Sequence, residues 1–262
     1  MPLFITSLAS GSNGNCYYVG NENEAVLIDA GISCRETEYR LTRLQLSMRK
    51  IKAIFISHEH TDHTRGVEVL SRKYNLPVYI TAATHHNSRL MIDPQLVKPF
   101  FSNIPVFIGE LSVHAFPKRH DASEPHSFIV KGNGKTVGVL TDIGTACNHV
   151  VENLNQCHAA FLEANYDEEM LQNGKYPYFL KKRISGDDGH LSNRQALELF
   201  TNHKHPLMSL LVLSHLSAHN NSPQLVLDLF SNHANGVRIV VASRYQETQL
   251  FTLEDDILTP NS

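Results

Sequence analysis

The chain has 262 residues, 42% of them hydrophobic and 19% charged, with a formal net charge of −3. Length and hydrophobic content suffice for one sizeable core, so a single domain over residues 1–262 is the expectation. The near-neutral balance excludes a global basic field that would attract nucleic acid, so any polyanion must be held by a local patch or by metal ions.

In chain order, Leu3 to Leu8 is apolar-rich and reads as a strand, followed by the turn-rich Ser10–Asn15. That loop either presents backbone N–H groups to a terminal phosphate or is an ordinary strand-to-strand turn. Cys16 to Val19 and Ala25 to Ile28 follow as strands, the second ending at Asp29-Ala30-Gly31. Glu36 to Leu46 spaces Tyr39, Leu41, Leu44 and Leu46 among charges, which predicts a helix. Ile51 to Ile56 is a short strand of the buried type. Thr64 to Tyr74 has helical spacing, and Pro77 to Ile80 is the next strand. Ser112 to Phe116 and Thr136 to Leu140 are further strands, followed by His120 and Asp142 respectively.

The C-terminal part alternates helix and strand. Ser192-Asn193-Arg194-Gln195 fits a capping box that opens a helix through Phe200. Leu207 to Leu213 is a strand ending at Ser214-His215. Ser222-Pro223 opens a helix to Phe230 with proline in its first turn. Val237 to Ala242 and the weaker Gln249 to Leu253 are the last strands. The pattern suits two sheets with helices packed outside.

The densest chemistry lies at Ser57-His58-Glu59-His60-Thr61-Asp62-His63-Thr64-Arg65-Gly66, three imidazoles and a carboxylate at the end of an apolar strand. In an extended loop His58 and His60 point the same way and can share a metal. Asp62 and His63, at the turn into a helix, can serve a second one nearby. Imidazole and carboxylate donors without thiolate suit zinc, manganese or iron. The chain holds sixteen histidines; His203, His205 and His233 sit in helix-terminal or loop contexts and are expected to be solvated. Cys16, Cys34, Cys147 and Cys157 form no CxxC pair and read as small buried residues. The N-terminal stretch lacks the regions of a signal peptide, and no apolar run approaches ~20 residues, so a cytoplasmic protein is expected.

The HxHxDH motif, with Gly66 behind it, resembles the hallmark of the metallo-β-lactamase superfamily. Asp29, His120, Asp142 and His215 resemble its other markers, in order. The resemblance implies an α/β fold, the αββα sandwich of two mixed β-sheets flanked by helices. It also implies two divalent metal ions, zinc or manganese. His58, His60 and His120 would hold one, Asp62, His63 and His215 the other, and Asp142 would bridge them. His114 and His126 compete with His120, but the context His120-Asp121-Ala122 is the more similar to the family's.

Leu162-Glu163-Ala164-Asn165-Tyr166, Gly186-Asp187-Asp188-Gly189-His190-Leu191-Ser192 and Leu213-Ser214-His215-Leu216-Ser217 resemble segments of the tRNase Z-type phosphodiesterases. With the Ser7–Cys16 start, they resemble still more the YycJ (WalJ) family of single-domain nucleases. The chain departs from tRNase Z at Leu162 and Leu191. The resemblance implies a metal-dependent phosphodiesterase, a DNA exonuclease acting through a bridging hydroxide, with DNA as partner. Asp62 would orient the nucleophile, His190 would protonate the leaving oxygen, and Glu163 would hold that imidazole. The basic, aromatic stretch 175–183 contributes Tyr178, Lys181, Lys182 and Arg183 as candidate substrate contacts, unless it is only a lid with solvated charges. Rival readings are an RNase of the tRNase Z type and a thioesterase or lactonase like glyoxalase II.

Overall fold

Short apolar runs separated by turns give three antiparallel strands, β1 (Leu3–Ala9), β2 (Cys16–Gly20) and β3 (Ala25–Ile28). The computed structural model describes residues 2–254; Met1 and residues 255–262, the ends of the expected domain, lie outside the described residues. Helix α1 (Cys34–Arg43) starts two residues before the expected Glu36, because the Ser33 hydroxyl accepts the Glu36 N–H and caps it there. Strand β4 (Ile51–Phe55) then runs parallel to β3.

The helix expected over 64–74 is two helices, α2 (Thr61–Thr64) and α3 (Val67–Tyr74). The break at Arg65-Gly66 has a local cause. The Gly66 N–H donates to the Ala30 carbonyl at 2.7 Å, and a Cβ at Gly66 would stand 2.1 Å from the Ile32 carbonyl. The chain is held there by the loop after β3 and cannot continue one helix.

Strand β5 (Val78–Tyr79), helix α4 (Ala82–Ser88) and strand β6 (Val97–Lys98) complete the first half. The second begins with β7 (Val106–Ile108), β8 (Leu111–Pro117), β9 (His126–Gly132) and β10 (Lys135–Leu140) in an antiparallel meander. Helix α5 (Asn148–Leu154) leads to β11 (Ala159–Glu163). Two short helices follow, α6 (Glu168–Asn173) and α7 (Tyr178–Ile184), then α8 (Asn193–His203) with the capping box at Ser192 and Gln195 formed. Strand β12 (Leu210–Ser214), helix α9 (Pro223–Ser231), β13 (Arg238–Val241) and β14 (Phe251–Leu253) end the described chain.

Among the described residues the strands form two seven-stranded mixed sheets, ordered β14-β1-β2-β3-β4-β5-β6 and β13-β12-β11-β10-β9-β8-β7. Their inner faces meet in one apolar layer, where fully buried Tyr17 of the first sheet packs on Phe161 of the second, centroids 4.9 Å apart. A second apolar layer seats α5, α8 and α9 on the outside of the second sheet, and a third seats α1 and α3 on the first. This is the αββα sandwich that the sequence resemblance implies. Among the described residues no helix is long and apolar enough to cross a membrane.

Strands β3 and β4 run parallel, as do β10, β11 and β12, so their carboxyl ends open at the rim of each sheet, where ligand sites of α/β sheets form. Three residues just past these ends have left-handed backbones: Asp29 (φ 60), Asp142 (φ 55) and His215 (φ 56). Non-glycine residues adopt that region at a cost of about 1–2 kcal/mol, Asp and His more readily than most. The turn ends each strand abruptly.

The first sheet's rim is locked by backbone contact. Asn15 N–H donates to the Asp62 carbonyl at 2.7 Å, and Gly31 N–H to the Asn15 carbonyl at 2.8 Å. A Cβ on Gly31 would lie 1.6 Å from the Asp62 carbonyl oxygen, so no side chain fits. Gly31→Ala is expected to destabilise the metal-free protein by ~1–3 kcal/mol, read as a lower midpoint in urea; an unchanged midpoint would mean that the loop yields freely.

Candidate metal centre

At these strand ends a cleft of about 480 Å³ is lined by His60, Asp62, His120, Asp142, His190 and His215, with Ser12, Glu59, Thr61, Asp121 and Arg183 at its edges. His58 and His63 lie beneath, fully buried. Ligand-type atoms of His58, His60 and His120 fall within 4.8 Å of one another, and so do those of Asp62, His63 and His215. Asp142 stands between the two triads. Its Oδ1 is 3.8 Å from His120 Nε2 and 3.5 Å from His215 Nε2, and its Oδ2 is 3.2 Å from His63 Nε2. His114 and His126 join no such group among the described residues; their rings contact Ser112 and Ser102 instead.

Each of four imidazoles is gripped at Nδ1. Ser57 Oγ gives its single proton to Asp29 Oδ2 at 2.8 Å, so it accepts from His58 Nδ1, also at 2.8 Å. His63 Nδ1 donates to Asp29 Oδ2 at 2.7 Å. His120 Nδ1 donates to the Gly189 carbonyl at 3.0 Å, and His215 Nδ1 to Glu163 Oε1 at 3.0 Å. Fixing Nδ1–H directs the Nε2 lone pair of each ring inward, which is how metal-binding histidines are oriented. His60 differs: its Nδ1 faces His58 Nε2 at 3.1 Å.

The protonation balance has two halves. Burial keeps His58 neutral, its pKa well below the usual imidazole value, and takes His120 down to about 4. Burial also opposes charge on His63 and His215, but there carboxylates win. Asp142, Asp29 and Asp62 lift His63 well above its usual value, and Asp142, Asp62 and Glu163 lift His215 to about 10. Burial works against ionised Glu163 too, yet the His190 charge and hydrogen bonds from His190 and His215 bring its pKa down to about 2.

The residues fit divalent ions on an observation of the structure itself. His120 Nε2, His215 Nε2 and Asp142 Oδ2 are buried atoms without a hydrogen-bond partner, an arrangement that costs free energy unless a cation satisfies it. All converge on the same volume, with imidazole and carboxylate donors only.

The remaining sequence-derived candidates divide by position. His190 Nδ1 donates to Glu163 Oε1 at 2.8 Å, at the cleft's edge. Arg183 lines the cleft and is ion-paired to Asp121, whereas Tyr178, Lys181 and Lys182 line a neighbouring cavity. In the Ser10–Asn15 loop, the N–H groups of Ser10, Gly11, Gly14 and Asn15 are used within the protein. The loop is a turn that delivers Asn15 to Asp62 and His63.

Sequence reasoning missed the supporting side chains. Asn15 Nδ2 lies 3.1 Å from Asp62 Oδ2 and 3.0 Å from His63 Nε2. Asn165 Nδ2 donates to the His215 carbonyl at 2.8 Å. Buried Lys118 donates to the Thr141 carbonyl at 2.6 Å; burial lowers its pKa, while Asp142, Asp29, Glu163 and Asp62 support its charge. The only available signal was a polar residue inside an apolar or motif segment, as at Lys118 between Phe116 and His120.

Comparison with known proteins agrees with this geometry. A family model described as "Beta-lactamase superfamily domain" matches residues 24–216. The chain is 35% identical over 229 residues to "Exodeoxyribonuclease YycJ" of Bacillus anthracis, covering 86% of each. It is 32% identical over 223 residues to "Exodeoxyribonuclease WalJ" of Streptococcus pneumoniae serotype 2, covering 83% of each. In three dimensions it is similar to the metallo-β-lactamase fold protein YhfI of Bacillus subtilis, with a TM-score of 0.75 at 15% identity, covering 96% of this chain and 99% of that one.

Asp29 touches the centre only through His63 and Ser57. Asp29→Asn is expected to weaken zinc or manganese binding ~10–100-fold, measured by competition with a chromophoric chelator. Affinity within twofold of the parent would remove Asp29 from this orienting role.

Proposed function

The chain belongs to the β-lactamase superfamily and is a metal-dependent hydrolase similar to the YycJ and WalJ proteins, and from that premise we propose that it is a nuclease, a DNA exonuclease working through two divalent ions. The observation that carries the phosphodiester reading is the His190–Glu163 pair at the cleft edge. A nucleotide's leaving alkoxide needs a proton, whereas a thiolate leaves without one. An imidazole held ready as an acid therefore favours an oxygen leaving group, such as a nucleotide's, over a thiolate, and the similarity to the YycJ and WalJ exodeoxyribonucleases favours the nucleotide.

Fully buried Glu163 accepts at both carboxylate oxygens. Its Oε2 takes the Ile143 N–H at 2.8 Å and the Leu191 N–H at 3.1 Å, which leaves Oε1 turned to His190 Nδ1. With Nδ1 held there, His190 presents Nε2 to the cleft, and Nε2–H is the proton the leaving oxygen takes as its bond to phosphorus breaks. Asp62 Oδ2, supported by Asn15, orients the attacking water. The seven residues His58, His60, Asp62, His63, His120, Asp142 and His215 would hold the metals. Zinc or manganese held there would supply positive charge to neutralise the phosphodiester and would lower the pKa of the attacking water. Arg183 at the rim is paired with Asp121 and would meet a substrate phosphate only by exchanging that partner. A cytoplasmic location belongs to the same reading, since that is where bacterial DNA lies.

The purified protein is assayed with zinc or manganese on end-labelled DNA, RNA, bis(p-nitrophenyl) phosphate and a thioester. DNA and the chromogenic diester are expected to be cleaved, with loss in chelator and recovery on adding metal. Activity confined to the thioester would overturn the nuclease reading, and cleavage of RNA alone would move it to the tRNase Z type. His190→Ala is expected to lose ~10²–10⁴-fold in kcat on DNA, with much less loss on the diester whose p-nitrophenolate leaves unaided, at unchanged metal content. Equal losses on both substrates would remove the acid role.

A further inference from the structure

Helix α7 has no fully buried residue: Leu180 and Ile184 are half-buried, and packing does not explain the aromatic and basic residues beside them. Tyr178 is 80% and Phe179 73% exposed, and Lys181, Lys182 and Arg183 follow. Residues 178, 181, 182 and 185 recur at the i, i+3, i+4, i+7 spacing of one helix face. These four line a cavity of about 620 Å³ facing α6. Arg183 lies on another face and lines the metal cleft. Helix α7 is thus a single wall, about 10 Å thick with its side chains, between the cleft and the second cavity.

The cavity's lining is layered. Tyr166 and Leu171 are buried apolar groups, and Tyr178 offers an exposed ring. Glu168 and Gln172 supply polar edges. Lys181 Nζ reaches the Gln172 carbonyl at 2.6 Å, bracing α7 against α6, and neither Lys181 nor Lys182 forms an ion pair among the described residues. A flat heteroaromatic ring with polar edges, attached to an anion, matches an apolar slot with an aromatic wall and cations at its rim.

We propose that the cavity between α6 and α7 is a nucleobase subsite, where an unpaired base of the strand whose neighbouring phosphate lies in the metal cleft stacks on Tyr178 while Lys181 and Lys182 hold its phosphate. This rests on the nuclease reading and adds to it a second binding site outside the metal centre. It requires the base to be unstacked from its neighbours, as in a single strand or a frayed duplex end.

Single-stranded oligonucleotides with hydrolysis-resistant phosphorothioate linkages, carrying 2-aminopurine at successive positions from the end, are titrated into the metal-loaded protein. The fluorescence change is expected to peak at one position near the end. Tyr178→Ala should erase that peak and weaken binding about 5- to 100-fold, while Tyr178→Trp restores both and exposed Phe107→Ala changes neither. Because the Tyr178 and Phe107 side chains are exposed, these variants keep the parent's circular dichroism. A position-independent signal, or affinity lost only in Lys181→Ala/Lys182→Ala and not in Tyr178→Ala, would overturn the base subsite and leave a merely electrostatic surface. The parent's hydrolysis of bis(p-nitrophenyl) phosphate separates the two readings. If that hydrolysis is present while Tyr178→Ala binds normally, the subsite fails alone; if hydrolysis and oligonucleotide binding are both absent, the nuclease reading fails with it.

Discussion

Two buried carboxylates organise this protein. Glu163 at the end of β11 is fully buried and accepts from two backbone N–H groups and two imidazoles, those of Ile143, Leu191, His190 and His215. Asp29 after β3, also fully buried, accepts from Ser57 N and Oγ and from His63 Nδ1. A carboxylate stripped of water costs several kcal/mol unless its lone pairs are filled. Filling them fixes the imidazoles, because those rings are among the donors. The penalty of burying charge becomes the force that aims Nε2 atoms into the cleft. One carboxylate belongs to each sheet, and both grip imidazoles of the Asp62, His63 and His215 group, Asp29 at His63 and Glu163 at His215.

The sandwich makes that pairing possible. Parallel β3–β4 and parallel β10–β12 expose carboxyl ends along the rims of two sheets held face to face by a continuous apolar layer. Left-handed turns at Asp29, Asp142 and His215 end the strands there. Each turn is locally unfavourable by about 1–2 kcal/mol, and burial of residues such as Tyr17, Phe128 and Phe161 between the sheets offsets it, at roughly 1.5–3 kcal/mol for a large apolar side chain. Rigidity at the centre therefore derives from the core rather than from the loops that carry its residues.

The strands and the metal motif were legible because both write themselves locally. A buried strand is a run of apolar residues, and the cluster from His58 to His63 spans six positions. The split between α2 and α3 was not legible, since it depends on the Gly66 N–H meeting the Ala30 carbonyl, a contact across 36 residues. Asn15 and Asn165 look like any turn asparagines until folding brings them to Asp62, His63 and His215. The helical state of 178–184 was hidden for a different reason. A helix of seven residues that faces cavities on two sides shows only Leu180 and Ile184 as an inward apolar pair, too short a pattern for periodicity to reveal. The basic, aromatic composition was visible, but its division between two cavities follows only from the 3.6-residue turn.

That division answers an electrostatic problem. Asp29, Asp62, Asp142 and Glu163 gather in and behind the cleft, in a chain whose net charge is already −3. Left to themselves they repel a phosphate. The buried Lys118, whose charge those carboxylates support, offsets part of that charge from within. At the cleft's edge, Arg183 is paired with Asp121 and Arg119 with Asp187 and Asp188, so little positive charge remains there for a polyanion. Lys181 and Lys182, which form no ion pair among the described residues, lie one helix face away. On the proposed nuclease reading, a strand held there would approach the centre from the side, and its phosphate would enter the acidic cleft only once divalent ions had reversed the local sign. Holding the strand and admitting the reacting phosphate would then be separate tasks, carried by different faces of one short helix.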